Sequence, residues 1–220
     1  IVELRGRGAQ IAGFELLVRL RNSSGELLAP NKFLDACEQY GLSPALHRWV
    51  LCAAVEALRP HAQALAGSPV FFTVNLSAQS LQSRKYSSFA LELLRAAGLS
   101  PSLFCFELKE AAAVAQLGAA DALIRELTGA GSKVARDDFG AGLSSLAHLK
   151  QLPVSYLKVG GQFVRRMTAD RVAESIVSGI ASAAETLGMI MIAEHVETAE
   201  VAARLRGLDV VLGQGFHLGR

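Results

Sequence analysis

Tyr156-Leu157-Lys158-Val159 is a short, largely apolar run, and beyond it Val172, Ile176, Val177, Ile180, Ala184 and Leu187 recur at helical spacing. Gly188 then interrupts the pattern, and Met189-Ile190-Met191-Ile192-Ala193-Glu194 opens a second apolar run. Short continuous apolar runs read as strands buried on both faces, and a glycine after the last periodic residue reads as a helix stop. The stretch is therefore a β-α-β unit of a parallel sheet.

The same alternation extends in both directions. Val70-Phe71-Phe72-Thr73-Val74-Asn75, Leu103-Phe104-Cys105-Phe106-Glu107 and Lys133-Val134-Ala135-Arg136-Asp137 precede the unit, and Val210-Val211-Leu212 follows it. Nearer the start, Ile1 to Leu4 and Ile11 to Leu20 flank the turn-like Gly6-Arg7-Gly8 and are expected to pair as an antiparallel hairpin. Ser43-Pro44 reads as a cap with proline at the first helical position, opening a helix through Trp49, Val50 and Leu58. Eight strands with intervening helices predict an α/β fold, a TIM-like (β/α)8 barrel whose N-terminal hairpin contributes an antiparallel strand. A doubly wound open sheet is the alternative. No Pro/Gly/Ser-rich linker interrupts the series, so residues 1–220 are expected to form one domain.

Composition narrows the class. Of 220 residues, 51% are hydrophobic and 19% charged, with a formal net charge of +2. Such a chain can bury a large core, and it lacks the basic stripe that DNA or RNA binding requires. Three widely spaced cysteines, Cys37, Cys52 and Cys105, all in apolar surroundings, argue against a disulfide framework or a thiolate zinc site and for a reducing, cytoplasmic setting. Every long apolar stretch is broken too early to span a bilayer, and no membrane contact by this segment is expected. The opening Ile1-Val2-Glu3-Leu4-Arg5 has neither an initiator methionine nor a signal pattern. It is read as cut from a longer protein, whose other segments could anchor it to a membrane.

The chemistry lies at the strand ends, where Glu15, Asn75, Glu107, Asp137, Asp138, Lys158 and Glu194 interrupt apolar runs. In a β/α barrel these ends converge on one mouth, and a cluster of like charges there requires cations. Oxygen donors without cysteine or clustered histidine select hard divalent ions such as Mg²⁺ or Mn²⁺. Adjacent carboxylates at Asp137-Asp138 suit two ions about 3.5–4 Å apart, the arrangement that serves phosphoryl displacement. Lys158 adds a positive charge for a phosphate or hydroxide. Strand alternation further predicts that Glu15, Leu17 and Arg19 share one face, as do Tyr156, Lys158 and the position of Gly160. By contrast, His47, His61, His148 and His217 lack ligand spacing and read as surface or packing residues. Trp49, Phe33, Phe71, Phe72 and Phe104 read as core.

Seven ordered motifs resemble bacterial EAL domains over essentially the whole chain. They are Gly13-Phe14-Glu15-Leu16-Leu17-Val18-Arg19, Val74-Asn75-Leu76-Ser77, Phe106-Glu107-Leu108-Lys109-Glu110, Asp137-Asp138-Phe139-Gly140-Ala141-Gly142-Leu143-Ser144-Ser145-Leu146, Leu157-Lys158-Val159, Ala193-Glu194-His195-Val196-Glu197-Thr198 and Gly213-Gln214-Gly215-Phe216. The resemblance implies a variant β/α barrel that hydrolyses cyclic di-GMP to linear pGpG with two Mg²⁺ or Mn²⁺ ions. It also implies homodimerisation and fusion to sensory or GGDEF-type domains. Position by position, Glu15, Asn75, Glu107 and Asp137 resemble ligands of one metal, and Asp137, Asp138 and Glu194 those of the other. Lys158 resembles the lysine that holds the nucleophilic water, and Glu197 a supporting glutamate of the catalytic set. Leu17 and Arg19 resemble contacts to base and phosphate, Gln214 a residue near the guanine, and Glu110 a support of the loop after Asp138.

The chain departs from the motifs at Leu16 (alanine), Lys109 (threonine), Ala141 and Leu143 (threonine and tyrosine), Gly160 (aspartate) and His195 (glycine). The complete set of carried-over ligands with Lys158 implies a phosphodiesterase. Gly160, Lys109 and the altered loop support the alternative, a weakly catalytic cyclic di-GMP receptor that signals through attached or partner domains.

Overall fold

The computed structural model describes residues 1–4, 10–83, 85–140 and 146–219. In chain order its elements are strands β1 (Val2–Glu3), β2 (Gln10–Ile11), β3 (Gly13–Glu15), β4 (Leu20–Arg21) and β5 (Leu27–Leu28), helices α1 (Leu34–Gln39), α2 (Ser43–Leu58) and α3 (Ala62–Leu65), then β6 (Phe71–Leu76), α4 (Ala78–Leu81) and α5 (Tyr86–Ala96). The second half continues with β7 (Phe104–Lys109), α6 (Glu110–Ala115), α7 (Leu117–Gly129), β8 (Lys133–Phe139), β9 (Tyr156–Val159), α8 (Gly161–Val164), α9 (Arg171–Thr186), β10 (Ile190–Ala193), α10 (Ala199–Gly207) and β11 (Leu212–Gly213). The main sheet runs β2-β1-β11-β10-β9-β8-β7-β6-β3. All its pairings are parallel except those of β1, which lies antiparallel between β2 and β11.

The two ends of that order meet through the chain itself. β2 and β3 are separated only by Ala12, whose N–H donates to Ile1 O (3.0 Å) and whose carbonyl accepts from Phe71 N–H (3.1 Å). One segment therefore pairs with β1 on one side and β6 on the other, closing a barrel with the antiparallel strand expected from the hairpin. The open-sheet alternative is set aside. The turn Gly6-Arg7-Gly8 itself lies outside the described residues.

The expected strand from Ile11 to Leu20 ends early. Its last sheet bond is Leu16 N–H to Thr73 O (3.0 Å), and Arg19 Nη1 then donates to Val18 O (2.9 Å) and Leu17 O (3.4 Å). Those carbonyls are thus engaged locally. β4 instead pairs with β5 in a separate antiparallel ribbon. Its turn is tied by Asn22 Oδ1, which accepts from Ser24 N–H (3.1 Å), Ser24 Oγ (2.7 Å) and Glu26 N–H (2.9 Å). Glu15, Leu17 and Arg19 consequently share no strand face.

Alternation divides the core into two layers. Phe71, Cys105, Ala135, Tyr156, Ile192 and Leu212 fill the barrel interior. Val74, Phe104, Phe106, Leu108, Val134, Leu157 and Val159 face the helices. The helix before β10 ends where expected, at Gly188. α9 is capped by Asp170, whose Oδ1 accepts from Val172 N–H (2.9 Å) and Ala173 N–H (3.3 Å), and Gly188 follows it at φ +71°. In α2, Ser43 is the first helical residue rather than the cap.

Two expectations of burial need correction. Trp49 is 59% exposed, because it lies two residues before the buried Leu51 and so on the far side of α2. Cys52, on that same outer face, is exposed as well. Phe33, Phe71 and Phe104 are buried, and Phe72 is half-buried between Phe14 and Phe104 at ring separations of 5.8 and 6.4 Å. His61 and His217 are exposed, and the side chain of His148 lies outside the described residues. Among the described residues no helix is long and apolar enough to cross a membrane.

Candidate active site

Each interior strand carries apolar residues low in the barrel and a polar residue two positions later, at its C-terminal end. Phe71 and Thr73 lead to Asn75, Cys105 to Glu107, Ala135 to Asp137, Tyr156 to Lys158, Ile192 to Glu194 and Leu212 to Gln214. Because the strands are parallel, these ends form one ring. The packed interior beneath keeps the ring partly dry, which strengthens every charge interaction in it.

Lys158 is the centre of the ring, 1% exposed. Its Nζ lies 2.7 Å from Glu107 Oε2, 3.0 Å from Glu194 Oε1, 3.4 Å from Asp137 Oδ1 and 3.5 Å from Glu15 Oε2. Burial opposes the charge on Lys158, but these carboxylates outweigh it and hold the ammonium well above its ordinary value. Burial pushes Glu107 up to about 7 despite the opposing pull of Lys158, and Glu194 likewise up to about 7. Glu15 goes the other way. Burial acts to raise it, but Lys158 and hydrogen bonds from Gln214 Nε2 (2.5 Å) and Asn75 Nδ2 (3.1 Å) together hold it below the usual range.

One lysine does not neutralise this many acids. Glu107 Oε1 is buried without a hydrogen bond among the described residues. Asp137, Asp138 and Glu194 offer oxygens all within 4.8 Å of one another, a donor set that fits a hard divalent cation. Both Asp138 and His195 directly follow a strand-end carboxylate, and both adopt left-handed backbone at φ +56°.

The remaining candidates are distributed around the ring. Glu110 starts α6 and accepts from Arg136 Nη2 through Oε1 (2.5 Å) and from Gly140 N–H through Oε2 (3.2 Å). Glu197 pairs with Arg165 at 3.2 Å on the surface. Gln214, expected near a guanine, is hydrogen-bonded into the acidic ring through Glu15. Leu17 is 52% exposed and Arg19 is exposed, with the guanidinium turned onto its own backbone. Ala141 and Leu143 lie outside the described residues. Arg136 and Gln162, whose amide donates to Gly140 O, were not among the candidates. The only signal for Arg136 was a charge inside an apolar strand.

The family model described as EAL domain matches residues 2–220. The chain belongs to the EAL domain family. It is 29% identical over 219 residues to the cyclic di-GMP phosphodiesterase PdeB of Shewanella oneidensis, covering 99% of this chain and 25% of that protein. The chain thus spans about a quarter of that relative's length. A solved MucR phosphodiesterase in complex with c-di-GMP is 32% identical, with a TM-score of 0.86 over 100% of this chain and 87% of that one. The FimX EAL domain from Pseudomonas aeruginosa, bound to c-di-GMP, is 28% identical, with a TM-score of 0.87 over 98% and 85%.

One departure from the EAL motifs, His195, packs against Gly161, the residue that follows another departure, Gly160. Any Cβ on Gly161 would stand 2.6 Å from Cγ of His195, so the imidazole occupies the surface that Gly161 leaves bare. Gly160 differs. Its φ of −65° suits any residue, and a Cβ there would meet Asp138 Oδ1 at an unstrained 3.7 Å.

Proposed function

We propose that this EAL domain hydrolyses cyclic di-GMP to linear pGpG with divalent metal, two Mg²⁺ or Mn²⁺ ions. The observation that carries the reading is the convergence of Glu15, Glu107, Asp137 and Glu194 on Lys158, with Asp138 beside them. Glu15, Asn75, Glu107 and Asp137 would hold one ion, and Asp137, Asp138 and Glu194 the other. When bound, such ions supply a hydroxide nucleophile and charge neutralisation at the phosphoryl oxygens.

The chain's own groups do the rest. Lys158 orients the attacking water and balances its charge. Glu194, whose Oε1 lies 3.0 Å from Lys158 Nζ, accepts the water's proton. Attack by the water oxygen forms a new P–O bond and breaks one P–O3′ bond; the departing O3′ takes a proton to become a 3′-hydroxyl, and a 5′-phosphate is left on the opened dinucleotide. Leu17 and Arg19 contact base and phosphate, Gln214 links the guanine side of the site to Glu15, and Glu197 and Glu110 support the surrounding loops.

In this reading the domain acts as one module of a longer protein, as a homodimer, joined to sensory or GGDEF-type domains in the cytoplasm; the greater length of PdeB supports only the first of these, a longer protein. The second reading, a receptor that binds cyclic di-GMP with little turnover, is favoured by Gly160, which leaves the flank of Asp138 without a carboxylate. Incubating cyclic di-GMP with the protein and Mn²⁺, and resolving pGpG by chromatography, decides between them. Product establishes the hydrolase. Calorimetric binding without product establishes the receptor.

A further inference from the structure

Leu108, Arg136 and Leu157 are paired in register across β7, β8 and β9, on the face turned to the helices. An arginine therefore stands in a row of buried leucines, itself 0% exposed. A leucine would pack there without any charge to satisfy, and replacing a buried ion pair by apolar side chains is often neutral or stabilising. Stability alone gives no reason for Arg136.

Its partner does. Glu110, also buried, takes Arg136 Nη2 on Oε1 at 2.5 Å and the Gly140 N–H on Oε2 at 3.2 Å. One carboxylate thus grips the chain two residues before Asp138 and two residues after it. Between those grips the β8–β9 register shifts, and Asp138 adopts left-handed backbone at φ +56°. Ladder pairing holds Asp137 to Lys109 and Phe139 to Val159, and the Glu110 tie adds a side-chain hold across the irregular residue between them. Gly140 is held from its other side too. Its carbonyl accepts from Gln162 Nε2, and the Phe163 ring would lie 2.7 Å from any Cβ on it.

We propose that Arg136 is a positioning residue. Through Glu110 it fixes the Asp137-Asp138 carboxylates in the arrangement that binds the divalent cation. The proposal deepens the metal-dependent reading and rests on it. Arg136 holds Oε1 of Glu110 and the Gly140 N–H holds Oε2, so the carboxylate does not rotate and its second oxygen stays aimed at Gly140. Loss of this tie releases the Asp137-Asp138 segment while leaving Lys158, Glu15, Glu107 and Glu194 in place.

The test uses the 220-residue chain, with Mn²⁺ affinity measured from the paramagnetic resonance of the free ion. The double variant Arg136→Met/Glu110→Gln removes both charges of the ion pair together. Its thermal midpoint in EDTA is expected to stay near that of the wild type, while Mn²⁺ affinity falls about tenfold or more. With cyclic di-GMP, kcat is expected to fall while KM stays within about twofold. Arg136→Lys keeps the charge but not the planar fork; it is expected to weaken Mn²⁺ less than the double variant and serves as the deciding variant if that one does not fold. Wild-type Mn²⁺ affinity in a folded variant overturns the positioning role. A wild type that binds no Mn²⁺ overturns the metal reading and this proposal with it. A wild type that binds Mn²⁺ without turnover rejects only the hydrolase, and Mn²⁺ affinity still decides the role of Arg136.

Discussion

A Cβ on Gly160 would stand 3.7 Å from Asp138 Oδ1, in extended backbone that any residue adopts. The missing carboxylate is therefore a local omission and not a demand of the chain path. Gly160→Asp is expected to fold normally and to raise kcat for cyclic di-GMP, with affinity within about twofold, because it adds charge beside Asp138, a proposed metal ligand, and no contact to the bases. Steady-state assays of pGpG formation check this. An unchanged kcat would move the limitation to Lys109 or to the loop after Gly140.

Divalent metal is expected to stabilise the fold, since the acidic ring holds more carboxylates than Lys158 can neutralise. Mn²⁺ at about a hundred times its dissociation constant contributes roughly 2.7 kcal/mol, which raises the thermal midpoint by roughly 5–10 °C over EDTA. Asp137→Asn removes a ligand and should lose most of that rise. Identical midpoints in Mn²⁺, in EDTA and in the variant would contradict a metal site here.

Glu194 and Arg19 separate turnover from binding. Glu194→Gln is expected to abolish pGpG formation while calorimetry still detects cyclic di-GMP, as the carboxyl is needed for the proton and not for the bases. With Arg19 in the proposed role of phosphate contact, Arg19→Ala would remove a charge-assisted bond worth about 1.5–3 kcal/mol and should weaken binding roughly ten- to hundredfold. Full turnover in Glu194→Gln would refute its role in proton transfer.

His47 makes stability depend on pH. Its Nδ1 accepts the Ser77 N–H (3.2 Å) and lies 2.9 Å from Ser80 Oγ, and burial pushes its value down to about 4. The unfolded chain protonates near 6.5, so between about 6.5 and 4 it holds the extra proton and the fold loses stability as pH falls. The contribution is fully present above about 6.5. Urea unfolding at pH 7.5 and 4.5 should show the wild type losing up to about 2–3 kcal/mol more than His47→Gln. Equal losses would show that His47 does not titrate in this way.

The alternation of apolar runs with helical spacing was enough to determine a parallel α/β fold, because burial of a parallel sheet on both faces leaves the same mark on every strand. The choice of barrel over open sheet was decided by the Ala12 bonds to Ile1 and Phe71. Strand ends in such a barrel must share a mouth, so Glu15, Asn75, Glu107, Asp137, Lys158 and Glu194 were readable as one cluster before any coordinates. Tertiary structure alone decided where local geometry competes with pattern. Arg19 hydrogen-bonds its own backbone, which ends the strand at Glu15 and sets aside the face expected for Leu17 and Arg19. Trp49 fell outside the core because a hydrophobic side chain does not announce which side of its helix it occupies. The contact of His195 with Gly161, the space beside Asp138 and the grip of Glu110 on Arg136 and Gly140 join residues far apart in sequence. Their spacing along the chain carries no trace of it, since only the closed barrel brings those positions within a bond's length.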